Sequence, residues 1–167
     1  MSQVNVEQDG IGRLLEGAAK VTARVRYCWL LTDTEKGGTA RPMGRILSRT
    51  DADRWTIRFV TDRRSRKASE IQRSGNVQLI FQDEAEDAFV VLIGNAAVLT
   101  SPTQIRQFWK EAYRAYFPDE EDKANAIFVE VEVQRMRLWI RGVTPEPFGL
   151  QPVVIERDAP GNWRLQG

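Results

Sequence analysis

Short segments rich in aromatic and β-branched residues, separated by turn-forming residues, most restrict the folds open to this chain. Residues 23–33, 39–49 and 55–61 have this character, which favours β-strands. Glu35-Lys36-Gly37-Gly38 lies between the first two segments, and Asp51-Ala52-Asp53 lies between the second and the third. Connections of this kind are typical of tight turns, so the three segments predict an antiparallel meander.

The rest of the chain carries equally local signals. Ser65 and the pair Ser101-Pro102 are typical of helix starts, and Gly75 is typical of a helix end. The alternation of apolar residues changes phase near Gln134, as a β-bulge would cause. The predicted helices are 7–20, 65–74 and 101–116, the further strands are 76–81, 88–99 and 126–141, and the closing hairpin pairs Val153 to Arg157 with Trp163 to Leu165.

These elements predict one mainly β domain over residues 1–167, with a core at about 10–142 and the C-terminal hairpin at 150–166. No repeat, low-complexity linker or change of composition divides the chain. About six main strands with helices inserted between them favour a closed or partly open antiparallel barrel.

The chain has no histidine and a single cysteine, Cys28. Without histidine, Ser-His-Asp and Cys-His catalysis and the usual imidazole zinc sites are excluded. Cys28 lies in the apolar run 27–31, so we expect a small core residue there rather than a nucleophile. Any catalytic reaction would therefore depend on a cofactor, on bound water, or on a carboxylate or lysine with a shifted pKa. Asp62 and Glu146 are unsupported candidates, and the catalytic residues stay unknown.

The charge balance argues against nucleic-acid and membrane partners. Lys and Arg number 24 against 23 Asp and Glu, so the protein has no overall attraction for polyanions. The cluster Arg63, Arg64, Arg66, Lys67 and Arg73 lacks interleaved aromatic residues, which nucleic-acid binding would favour. No window approaches the roughly 18 apolar residues of a membrane span, and the polar N-terminal segment has no signal-peptide core. We expect a cytoplasmic protein.

The most informative stretch runs from Thr61 to Lys67. It leaves the apolar strand end Phe59-Val60 and enters a helix whose predicted N-cap is Ser65. A helix N-terminus offers free backbone N–H groups and a positive dipole end. Arg66 and Lys67 are unfavourable there unless a dianionic phosphate lies among them. A solvated basic turn is the alternative that charge alone leaves open.

The order and spacing of several motifs resemble the pyridoxamine 5′-phosphate oxidases and their relatives, which include bacterial general stress flavoproteins of the FMN-binding split-barrel superfamily. The motifs are Arg41-Pro42-Met43, Phe59 to Ala68 followed by Glu70-Ile71, Val77-Gln78-Leu79-Ile80-Phe81, Gly94 with Ala96, Phe108-Trp109, Tyr116-Phe117-Pro118 and Arg137-Leu138-Trp139. The resemblance covers about residues 10–142. It implies a six-stranded antiparallel Greek-key split barrel that forms a homodimer with FMN at the subunit interface.

The resemblance also implies two groups of FMN contacts. The residues for the phosphate are Arg41, Ser65, Arg66 and Lys67, with Arg45 as the alternative to Arg41. The residues for the isoalloxazine ring or the ribityl chain are Met43, Val60 and Thr61, with Trp139 approaching from the partner subunit. The alternative role for Trp139 is core or interface packing, and Trp109 is expected to pack its helix or contact the partner.

One departure from the oxidases bears on function. The oxidases bind the substrate's phosphate and pyridine with an Arg-x-His-Asp-Arg type segment after the tryptophan strand, whereas the corresponding residues 145–151 contain neither arginine nor histidine. The resemblance therefore implies a stress-related flavoprotein, an oxidoreductase with an unknown substrate, and not a true pyridoxamine phosphate oxidase. A reductase that uses the deazaflavin F420 or NAD(P)H is one alternative. A non-enzymatic flavin- or ligand-binding protein is the other.

Overall fold

The computed structural model describes residues 3–44, 48–51 and 55–167. The helices are α1 (Gln3–Arg24), α2 (Arg66–Ser74), α3 (Pro102–Phe108) and α4 (Glu120–Ala124). The strands are β1 (Tyr27–Thr34), β2 (Gly37–Gly44), β3 (Ser48–Asp51), β4 (Thr56–Asp62), β5 (Asn76–Asp83), β6 (Ala88–Leu99), β7 (Ala126–Ile140), β8 (Val153–Arg157) and β9 (Trp163–Leu165). Two 3₁₀ helices cover Glu84–Glu86 and Glu111–Ala115.

All the described strands belong to one antiparallel sheet. The main path runs β2-β1-β5-β6-β7-β4-β3, and β8 pairs with β7 and with β9. Within the described residues β2 and β3 are the two ends of this path, so the sheet is not closed. The prediction of a mainly β antiparallel domain with flanking helices is confirmed, whereas the count of six strands is wrong because the described residues form nine.

Two features account for the larger number of strands. The predicted strand 39–49 is divided into β2 and β3, and residues 45–47 between them lie outside the described part. Ala52 and Asp53 of the predicted turn, and Arg54 after it, also lie outside that part. In addition, β4 pairs with only the first part of the long strand β7, from Ala126 to Glu132. The rest of this edge of β7 is free to pair with β8, which covers Arg135 to Leu138.

The predicted bulge near Gln134 is confirmed. Ile93 pairs with Arg135 while Gly94 pairs with Val133, so Gln134 is the extra residue of β7. The backbones come so close there that a Cβ atom at Gly94 would overlap the carbonyl oxygen of Glu132. Glycine is therefore a steric requirement of this bulge.

The prediction of one helix over 101–116 is wrong. The helix α3 ends at Phe108, the backbone is extended at Trp109 and Lys110, and a 3₁₀ helix follows. Phe108 and Tyr113 both contact the ring of Phe128 on β7, at centroid distances of 5.7 and 5.8 Å. Residues five apart lie about 140° apart around a regular α-helix, so a break lets both rings reach the same partner.

The core lies between the inner face of the sheet and α1. Leu14, Ala18 and Val21 of α1 are buried against it. Cys28 is buried in the same cluster, as predicted, and burial raises the pKa of its thiol to about 12, so the thiol is unreactive at neutral pH. Among the described helices, none combines the length and the apolar character needed to cross a membrane.

Candidate functional site

The turn from β4 into α2 is fixed by hydrogen bonds at its start and at its end. Arg63 N donates to the carbonyl oxygen of Asn125 at 2.8 Å, and Ser65 N donates to that of Asp62 at 3.0 Å. Ser65 is extended, and its hydroxyl accepts a hydrogen bond from Ala68 N at 3.3 Å. The predicted N-cap is therefore confirmed, and the free N–H groups of the first turn of α2 lie beside the end of β4.

A cleft of about 280 Å³ opens at this junction. Its walls come from β2, from the end of β4, from the first turn of α2 and from the segment after the second 3₁₀ helix. The lining residues are Pro42, Met43, Gly44, Phe59, Val60, Thr61, Asp62, Ser65, Lys67, Tyr116 and Phe117. The cleft thus brings together five of the predicted site residues, namely Met43, Val60, Thr61, Ser65 and Lys67.

Lys67 is the cation inside the cleft. Its side chain is half-buried and its Nζ lies 3.6 Å from the sulfur of Met43. Burial, followed by repulsion from Arg41, lowers the pKa of Lys67, and attraction to Asp62 offsets only part of this effect. No carboxylate of the described residues lies within 4 Å of its Nζ. A bound anion would supply the missing countercharge.

Two hydroxyl groups, those of Thr61 and Ser65, line the same cleft as Lys67. Thr61 is 3% exposed and its Oγ1 lies 3.3 Å from the Oγ of Ser65. Because the Ser65 oxygen already accepts from Ala68 N, its own proton is available for donation. The cleft is therefore lined by hydroxyl groups and an ammonium group at the capped start of α2, and such donors suit a phosphate group.

Arg41 has a different position from the one implied by the phosphate role. Its Nη2 lies 2.5 Å from Oε2 of Glu70 and 3.0 Å from Oγ1 of Thr32, and Arg41 is not among the residues that line the cleft. Hydrogen bonds from Thr32 and Arg41 lower the pKa of the buried Glu70 carboxyl. The Arg41 Nε is buried without a partner among the described residues. Arg45, the alternative, lies outside the described residues.

The other cations of the turn point elsewhere. Arg66 is exposed and borders a separate hollow that Glu70 and Arg73 also line. Arg64 forms ion pairs with Asp62 at 2.7 Å and with Asp122 at 3.4 Å, and both partners raise its pKa. The phosphate roles of Arg41 and Arg66 stay predictions. Sequence reasoning missed Glu70, because nothing local distinguishes it from a solvated helix residue.

Trp139 is half-buried on β7, opposite Phe89 of β6. Eleven residues of β7 separate it from Phe128, which pairs with Val60 at the cleft. That separation corresponds to about 35 Å of strand. Trp139 therefore does not belong to the cleft of its own subunit, and its predicted flavin contact requires a second copy of the chain.

An apolar patch borders the cleft. Tyr27 and Trp29 on the outer face of β1 are 57% and 51% exposed, and Tyr116 is 60% exposed. A Cβ atom at Gly44 would lie 3.6 Å from the hydroxyl of Tyr116 and 3.7 Å from the ring of Tyr27, so both rings lie over Gly44 at the rim of the cleft. Exposed aromatic clusters of this kind are typical of interaction surfaces.

The sheet and the cleft together define the class of protein. The family described as "Pyridoxamine 5'-phosphate oxidase like" matches residues 16–146, which are most of the chain. The chain belongs to this family, and the resemblance found in the motifs is confirmed. Among curated proteins, General stress protein 26 of Bacillus subtilis (strain 168) is 29% identical over 93 residues. That match covers 54% of this chain and 66% of the relative, slightly less than two thirds of its length.

Solved structures share the fold. A protein related to general stress protein 26 from Clostridium acetobutylicum superposes with a TM-score of 0.70 at 14% identity, over 86% of this chain and 94% of that one. A pyridoxamine 5′-phosphate oxidase-related, FMN binding protein from Nostoc punctiforme PCC 73102 also gives a TM-score of 0.70, at 17% identity, over 93% and 94% of the two chains.

Proposed function

We propose that this protein binds FMN in the cleft at the start of α2, as a homodimeric, stress-related flavoprotein that acts as an oxidoreductase on a substrate still to be identified. The observation that carries the proposal is Lys67, a half-buried cation without a carboxylate partner beside the capped N-terminus of α2. The family membership and the naming of the Nostoc relative as FMN binding support the same cofactor.

The residues of the cleft fit the chemical groups of FMN. The phosphate would lie against Lys67, Ser65 and the first N–H groups of α2, and the exposed Arg66 would add positive charge from the neighbouring hollow. Met43, Val60 and Thr61 would line the ribityl chain and one part of the isoalloxazine ring. Arg41 would act through its positive field, since Glu70 already binds its guanidinium group. When bound, FMN supplies hydride and electron transfer, while the chain supplies binding and orientation.

The apolar patch of Tyr27, Trp29 and Tyr116 supports the homodimer. A second copy packed on this patch would cover three exposed rings at the rim of the cleft. It would also be the source of the tryptophan contact, because Trp139 is too far along β7 to reach the cleft of its own subunit.

The segment after β7 supports a substrate other than pyridoxamine 5′-phosphate. Residues 145–151 have no arginine or histidine to hold a second phosphate. The nearest cation of the strand end, Arg141, forms an ion pair with Asp87 at 2.8 Å and lies 4.3 Å from the ring centroid of Phe148. These two contacts already occupy its guanidinium group.

The proposal is tested by identifying the extracted cofactor by mass and by titrating the cofactor-free protein with FMN and F420. We expect FMN binding at micromolar concentration or below, and a roughly ten- to hundred-fold loss in Lys67→Gln, because a charge-assisted phosphate contact is removed. Arg73→Gln removes the same charge from the exposed last turn of α2 and should leave the affinity unchanged. No binding of FMN by the wild-type protein would refute the proposal.

A further inference from the structure

The structure has a second cavity, which is larger than the cleft. It has a volume of about 510 Å³ and opens between α3, α4 and the turn before α2. None of its lining residues lines the cleft described above. Its size falls in the range of about 300–1,000 Å³ typical of sites for small molecules.

The cavity has an apolar wall with an unsatisfied donor. Ile105 and Trp109 are half-buried there. The ammonium group of Lys123 lies 5.2 Å from the centroid of the Trp109 ring, so the indole face and a cation are already adjacent. The indole N–H of Trp109 is buried and has no acceptor among the described residues. A buried donor without an acceptor is uncommon in a folded protein.

The rim of the cavity carries an excess of positive charge. Arg63 and Arg106 are exposed and Lys123 is half-buried. In the described part of the chain, none of the three has a carboxylate within 4 Å. The lining residue Glu120 forms an ion pair with Arg114 at 3.3 Å, so its charge is shared with a cation outside the cavity. Three unpaired cations around an apolar wall repel one another, and an anion would relieve that repulsion.

We propose that this cavity is a second binding site, separate from the cofactor cleft, for a small amphipathic organic anion. The flat apolar body of the ligand lies against Ile105 and Trp109. Its acidic group is bound by Arg106 and Lys123, with Arg63 adding positive potential at the opening. An uncharged molecule of the same shape gains only the apolar contact, and a compact inorganic anion gains only the charge.

The test uses 8-anilinonaphthalene-1-sulfonate, whose fluorescence rises on binding, and N-phenyl-1-naphthylamine, which has the same ring system without the sulfonate. We expect one saturable sulfonate site per chain and at least ten-fold weaker binding of the uncharged probe. Arg106→Gln and Lys123→Gln should each weaken sulfonate binding about ten-fold, because each removes a charge-assisted contact. Saturating FMN should leave the affinity for the sulfonate unchanged.

Lys110→Gln is the matched control, since Lys110 is exposed, lies in the same segment and does not line the cavity. It should bind the sulfonate as the wild-type protein does. The proposal is overturned if folded Arg106→Gln and Lys123→Gln both keep the wild-type affinity, if Lys110→Gln loses as much, or if the uncharged probe binds equally well. Displacement of the sulfonate by FMN would also overturn it, because the probe would then occupy the cofactor cleft.

Discussion

Arg41 and Lys67 differ in how their charges are balanced. Arg41 is bound to the buried carboxylate of Glu70, whereas Lys67 faces the cleft without a carboxylate partner among the described residues. The first arrangement stabilises the fold, and the second supports the proposed binding of an anion. Ser65 could be predicted because a helix cap is a local pattern. The Arg41–Glu70 pair could not, because its two residues lie 29 positions apart and meet only in the folded chain.

We predict that Glu70→Ala lowers the free energy of unfolding by about 3 kcal/mol at pH 7, because it leaves the largely buried Arg41 unpaired. Its partners hold the pKa of Glu70 below the ordinary value of 4.5. A carboxyl group whose pKa is lowered by folding stabilises the folded state fully when the pH is above its ordinary pKa. This stabilisation is lost as the pH falls through the pKa of the folded state. Urea unfolding of both proteins should therefore show a difference at pH 7 that shrinks below pH 4.5.

Glu70→Gln is the control, because it keeps an acceptor for Thr32 while removing the charge. Its loss of stability should be smaller than that of Glu70→Ala. Equal stability of wild type and Glu70→Ala at pH 7, or a difference that persists unchanged at pH 3, would contradict the stabilising role given to the ion pair.

The helices and strands could be predicted where their sequence signals are local. They could not be predicted where contacts between distant residues decide where an element ends. Strand β6 begins and ends at the predicted residues, and the bulge of β7 follows from its own alternation. The break after α3 depends on Phe108 and Tyr113 sharing the ring of Phe128, a contact across about twenty residues of chain. No pattern within residues 101–116 encodes that contact, and the helical periodicity there favours one continuous helix.

At the bulge between β6 and β7, we predict that Gly94→Ala lowers the free energy of unfolding by about 3 kcal/mol, at the upper end of the usual cost of overpacking. The added methyl group meets the backbone of Glu132, which cannot move without disturbing the strand pairing. Gly12→Ala is the comparison. It lies exposed on α1 with open space around it, and alanine should stabilise that helix by about 0.5–1 kcal/mol.

Urea unfolding of the two alanine variants measures both effects. A lower free energy of unfolding for Gly94→Ala and a higher one for Gly12→Ala would support the steric explanation of the bulge. If Gly94→Ala were as stable as the wild-type protein, the close approach of the two backbones would be wrong.

At the scale of the whole molecule, the cleft is one half of a site in the proposed homodimer. The path of β7 places Trp139 far from Lys67 in the same subunit. The rings of Tyr27, Trp29 and Tyr116 are exposed, and those of Tyr27 and Tyr116 lie over Gly44 at the rim of the cleft. A homodimer joins these two observations, since one surface would cover the rings and supply the missing tryptophan. The fold and the family follow from sequence motifs, whereas the arrangement of subunits depends on surfaces that are assembled only in the folded chain.

We predict that Trp29→Lys shifts the protein from dimer to monomer in sedimentation experiments, because it places a charge in the apolar patch. The affinity for FMN should fall about five- to hundred-fold in the monomer, since aromatic stacking on a flat ring is worth about 1–3 kcal/mol. Trp29→Phe keeps an apolar ring and should remain dimeric. A monomeric wild-type protein that binds FMN tightly would contradict the shared site.

The central claim is that the start of α2 recognises a phosphate group, and the most direct test compares FMN with riboflavin, which lacks only that phosphate. Titration of the cofactor-free protein should give an affinity for FMN at least about a hundred-fold higher, because two or more charge-assisted contacts are lost with the phosphate. Equal affinities for the two flavins, or no binding of either, would contradict the role assigned to Lys67 and the N-terminus of α2.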